Sequence, residues 1–73
     1  MNGKYYFDYI DVEMYDGTIE QYDFTMTVRN DKIYCVYVTK SGKEQYRRIS
    51  LYDPTFGVVA LELFEEIRKG KAK

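Results

Sequence analysis

Three turn-forming dipeptides divide the first fifty residues at near-regular intervals: Asp16-Gly17, Asn30-Asp31 and Ser41-Gly42. Glycine takes positive φ without steric cost, and Asn and Asp tolerate it better than other residues. Each pair is therefore a hairpin signal, Asn-Asp the weakest of them. The segments between them are rich in Tyr, Val, Ile, Phe and Thr, which suit a pleated, half-buried surface. This spacing predicts four strands, Tyr5–Met14, Thr18–Arg29, Lys32–Thr39 and Glu44–Leu51, joined as an antiparallel meander.

After the last strand the pattern changes period. Asp53-Pro54 is a helix opening, with aspartate as the capping acceptor and proline in the first turn. Phe56, Val59, Ala60, Leu63, Phe64 and Ile67 then recur on one helical face, predicting a helix over 54–69. Gly57 and Val58 are poor helix formers, so an irregular first turn is expected. Gly70 is a stop signal, and Lys71-Ala72-Lys73 is expected to fray. The fold class is thus α+β, a four-stranded antiparallel β-meander followed by one C-terminal α-helix packed on one face. With 73 residues, the chain is expected to form a single domain over 1–73.

Strand alternation assigns the faces. In the second strand Tyr22, Phe24, Met26 and Val28 alternate with Asp23, Thr25, Thr27 and Arg29. In the first, Ile10, Val12 and Met14 are in phase, but Tyr5, Phe7 and Tyr9 have the opposite parity. A bulge near Tyr9 or Ile10 reconciles the two sets, and a three-residue loop around Asp16-Gly17 puts Val12 and Phe24 on one side. A two-residue turn at Asn30-Asp31 would then place Cys35 and Tyr37 on the core side. A three-residue loop around Ser41-Gly42 would bring Ile49 and Leu51 there too, with Arg47 at its margin. One helix covers one face. The other would carry Tyr34, Val36, Val38, Tyr46 and Arg48, with Thr25, Thr27, Asp11 and Asp23.

Histidine is absent, which removes His-based zinc sites, Ser-His and Cys-His pairs and the usual neutral-pH proton shuttle. Cys35, the only cysteine, reads as a small core hydrophobe without an activator, and a reducing compartment, the cytoplasm, is expected. Ser41 and Ser50 read as turn and strand residues. The acidic run from Asp8 to Asp16 lacks the alternating ligand spacing of a calcium loop. Asp11 and Asp23, expected to lie close across the first hairpin, have no third ligand in view. The glycines form no phosphate loop, and no run is long enough to span a membrane. The chain is therefore expected not to be an enzyme and to carry no catalytic residue, cofactor or metal.

Binding remains. Asp8, Asp11, Glu13, Asp16, Glu20 and Asp23 make the first hairpin acidic, whereas Arg29, Lys32, Lys40, Lys43, Arg47 and Arg48 make the second basic. Nine tyrosines exceed what a small core needs, and tyrosine offers contact area at low rotamer cost. The expected function is a protein-binding module, an adaptor or inhibitor that occupies a surface of a larger partner. The analogy is to small phage and mobile-element proteins that block host nucleases. Its expected contact residues are Asp11, Glu13, Asp23, Tyr34, Val36, Tyr46 and Arg48. A homodimer is expected as well, because so short a chain gains stability by burying a second face. The alternative is single-stranded nucleic acid or a nucleotide on Tyr34, Tyr46, Arg47 and Arg48, opposed by a pI of about 5.3. A structural subunit of a larger assembly is the third reading.

Overall fold

The computed structural model describes residues 1–70; the expected fraying at 71–73 lies outside them. The chain forms β1 (Gly3–Glu13), β2 (Ile19–Arg29), β3 (Lys32–Lys40), β4 (Arg47–Ile49) and α1 (Phe56–Arg68), and the sheet order is β1-β2-β3-β4. Every neighbouring pair is antiparallel. The meander and terminal helix are those expected, but β4 has only three residues.

The first two turns follow their local chemistry. Tyr15, Asp16 and Gly17 form a three-residue loop, closed by the Met14 N–H donating to the Thr18 carbonyl at 2.7 Å, with Gly17 at φ +88°. Asn30 and Asp31 form a two-residue turn with φ +52° and +64°, the pair of positive values that matches the twist of a tight hairpin. The expected bulge in β1 is present: the register shifts between Phe7 and Ile10, and Tyr9 sits at φ +56°. The Asp23 carboxylate holds it there by accepting from the Tyr9 N–H at 2.9 Å and the Ser41 hydroxyl at 2.7 Å.

A second bulge overturns the expected facing of β3. Val28 pairs with Ile33, but Thr27 pairs with Cys35 and Met26 with Val36, so Tyr34 is an extra residue. Beyond it every β3 side chain changes sides. Val36 and Val38 enter the core at 1% and 0% exposure, while Cys35 and Tyr37 move to the opposite face. Burial explains the exchange, because two valines bury only hydrocarbon whereas a buried tyrosine hydroxyl must find a partner. The last loop is also longer than expected, running from Ser41 to Tyr46. Its register, Val36 opposite Ile49, returns Ile49 to the core despite the flip.

Phe24 and Met26 lie at the centre of the core with Val12, Val28, Val36, Val38 and Ile49. From α1 they receive Phe56, Ala60 and Ile67, and the Tyr22 ring meets Phe56 edge-on at 4.8 Å. The Arg47 guanidinium lies 5.0 Å from the Phe56 ring centre, at the core margin as expected. The helix begins two residues later than expected, yet Asp53 still caps it: its Oδ1 accepts from the Thr55 and Phe56 N–H groups at 2.8 and 2.9 Å. Gly57 permits a close crossing, since a Cβ there would lie 2.4 Å from the Leu51 carbonyl oxygen. At the far end Gly70, φ +74°, donates to the Ile67 carbonyl.

Candidate functional site

The helix leaves one face of the sheet uncovered, and pairing registers arrange that face in rows. Across the middle run Tyr6, Thr25, Tyr37 and Arg48, each the cross-strand partner of the next. Toward one end lie Lys4, Thr27 and Cys35, then Arg29 beside Lys32. Toward the other lie Asp23 beside Thr39, Asp11 beside Gln21 and Glu13 beside Ile19. The face is therefore basic at one end, aromatic in the middle and acidic at the other.

Its centre is a shallow dish of about 350 Å³ lined by Lys4, Tyr6, Thr25, Tyr37 and Tyr46. Tyr6 is 67% exposed, Tyr46 50% and Tyr37 38%. Adjacent strands lie ~4.8 Å apart, so the Tyr6 and Tyr37 backbones, two strands apart, are separated by about 10 Å. Thr25 is the short residue between them. Two aromatic walls over a low floor form a slot for one flat or apolar group. Among the described residues no carboxylate lines the dish.

The residues expected to bind do not all converge here. Tyr46 lines the dish and Arg48 adjoins it opposite Tyr37. Tyr34 lies at the basic end, with the Arg29 guanidinium 3.8 Å above its ring. Val36 is buried in the core and not on the open face, so it is no contact residue. Arg47 sits on the core side, so the four residues considered for nucleic acid do not share a face. Asp11 faces Gln21 rather than Asp23 and accepts from its Nε2 at 3.2 Å. Asp23 is occupied inside the fold by the Tyr9 and Ser41 donors. Glu13 is exposed and also borders a cleft against Tyr15, Pro54 and Val58.

Lys4, Tyr6 and Tyr37 were not among the expected contact residues. The β1 phase could have exposed Tyr6, since Tyr5 and Phe7 on either side of it point to the core. Tyr37 was hidden by the Tyr34 bulge. At the tip of the acidic hairpin the Thr18 hydroxyl donates to Asp16 at 2.7 Å and its backbone N–H at 3.0 Å. These bonds, the hydroxyl's first, hold the Asp16 carboxyl below its ordinary value.

Among the described residues no group of three or more His, Cys, Asp or Glu side chains is placed to hold a metal ion, and no helix is long and apolar enough to cross a membrane. Compared with protein-family models, curated proteins and solved structures, the chain matches none.

Proposed function

We propose that the chain is a non-catalytic protein-binding module that covers a surface of a larger partner with the open face of its sheet. The observation that carries this reading is the tyrosine dish. Exposed aromatics gathered around one short residue, on a face that the helix does not cover, fit the aromatic centre and polar rim of recognition surfaces. Tyrosine offers a large contact area with few rotatable bonds, so ordering it on docking costs little rotamer entropy. An inhibitor acting by steric cover, of the kind phages direct against host nucleases, is the finer form of the same proposal.

The test is capture from cells of the source with the immobilised chain, comparing wild type, Tyr37→Glu and Tyr52→Glu. Tyr52 is 96% exposed and lies outside the dish, so it controls for added charge. A protein retained by wild type and Tyr52→Glu but lost with Tyr37→Glu supports the reading. Equal retention by all three refutes it.

Lys4 and Arg48 flanking the tyrosines favour one second reading, a nucleotide or single-stranded nucleic acid stacked on Tyr46 or Tyr37 with its phosphate on a cation. Asp11 and Glu13 on the same face oppose a longer strand. Oligonucleotide titration at low salt decides: binding lost in both Tyr46→Ala and Arg48→Ala sustains this reading, and no binding ends it.

A further inference from the structure

We infer that the open face is self-complementary, and that in the free chain a second copy occupies it, back to back; this rests on the reading of that face as a docking surface. The argument begins from the ends of the strands. Lys4, Arg29 and Lys32 lie at one end of the face, and Asp11 and Glu13 at the other. A two-fold axis lying between two such faces and crossing the strands reverses one copy relative to the other. The basic end of each copy then lies over the acidic end of its partner, and the favourable contact is made twice. No other orientation of the stack pairs both ends. A two-fold axis along the strands would set basic on basic and acidic on acidic.

The middle of the stack is apolar enough to close. Stacked sheets lie about 10 Å apart, a gap that tyrosine rings from both sides can fill. That axis lays each strand over the same strand of its partner, so the short, half-buried Thr25 and Thr27 face their counterparts while the tyrosines of β1 and β3 meet those of the other copy on either side. The size of the face sets the strength. Three strands of about eight facing residues and the three-residue β4, at ~4.8 Å spacing and ~3.4 Å rise, give about 440 Å² per copy and roughly 900 Å² in all. That is below the usual size of a stable specific interface, so the pairing is weak and a larger partner can displace it. Self-pairing therefore guards the tyrosines until the partner arrives.

The experiment is sedimentation equilibrium on three chains from about 10 µM to about 1 mM. Wild type should shift from monomer to dimer over that range, and should shift back toward monomer as added salt screens the end contacts. Lys4→Glu with Lys32→Glu reverses two of the three cations at the basic end, leaving Arg29, and Asp11→Lys with Glu13→Lys reverses the two exposed carboxylates at the acidic end, leaving the internally bonded Asp23. All four positions are exposed, and circular dichroism verifies that each variant keeps the fold. Each variant alone should self-associate at least ten-fold more weakly than wild type. Mixed one to one, they should restore a dimer at least as tight as wild type.

A wild type that stays monomeric to 1 mM, variants that dimerise unaltered, or a mixture that fails to pair each overturn the inference. The docking reading is scored separately by the Tyr37→Glu capture comparison. Monomeric wild type with Tyr37-dependent capture would remove the self-pairing alone.

Discussion

Replacing Gly57 with alanine sets helix propensity against packing, and the two effects have opposite signs. By propensity alone, alanine stabilises a helical position by up to about 1 kcal/mol over glycine, less in a first turn. The tertiary structure reverses the outcome. A Cβ at Gly57 would lie 2.4 Å from the Leu51 carbonyl oxygen, 2.7 Å from its carbon and 3.0 Å from the Ser50 oxygen. Ordinary contact is near 3.4 Å, and the obstacles are backbone atoms that no rotamer change can move aside. The first turn of α1 must retreat by roughly 1 Å, loosening Phe56 against Tyr22 and Phe24. Overpacking of this kind costs about 1–3 kcal/mol, which leaves a net loss of about 1–2 kcal/mol after the propensity gain. At 4–8 °C per kcal/mol for a chain of this size, Tm should fall by about 5–15 °C. Urea unfolding followed by far-ultraviolet circular dichroism should show a midpoint lowered by about 1 M, with the slope unchanged. Val58→Ala, at an exposed site one residue on, should be neutral or slightly stabilising and serves as the control. An alanine variant at Gly57 as stable as the native chain would refute the argument for a close crossing.

The other expectations concern the sheet and its first turn. Val36→Ala should cost about 2–3 kcal/mol through the cavity it opens, whereas Tyr37→Ala, next in sequence but on the open face, should cost under about 1 kcal/mol; equal losses in thermal melts would contradict the assigned register. Thr39 is 2% exposed and its hydroxyl has no hydrogen-bond partner among the described residues, so Thr39→Val, nearly isosteric, should stabilise by about 1 kcal/mol, and a measured loss would show that the hydroxyl is satisfied. The depressed Asp16 carboxyl favours the folded hairpin above its unfolded value of 3.8, and that contribution disappears as pH falls through the lower folded value. Thr18→Val removes the leading cause, so the Asp16 titration followed by NMR should move upward toward 3.8; a titration that does not move would assign the depression elsewhere.

The fold was legible wherever local chemistry acts alone. Two glycine-containing turns, the Asn30-Asp31 pair and the Asp53 cap depend on residues within a few positions of one another. The β1 bulge was visible because Tyr5 and Phe7 alternate out of phase with Ile10 and Val12, and acidic residues mark the opposite face. The core facing of Ile49 agrees with the alternation pattern because two departures cancel: the Tyr34 bulge flips β3, and the longer β3–β4 loop flips β4 back.

From Ile33 to Val38 the sequence is Ile-Tyr-Cys-Val-Tyr-Val, apolar or aromatic at every position. Period-two alternation therefore contains no preference for either face, and Cys35 with Tyr37 looks as inward as Val36 with Val38. The choice was decided by what lies opposite. Met26 and Phe24 pair with Val36 and Val38, α1 closes over that side, and a bulge at Tyr34 costs less than burying a tyrosine hydroxyl without a partner. The order of elements, the turns and the helix boundary signals thus belong to the sequence itself. The placement of Tyr37 in the dish belongs to the tertiary structure, because a side chain apolar on one edge and polar on the other takes its face from its neighbours.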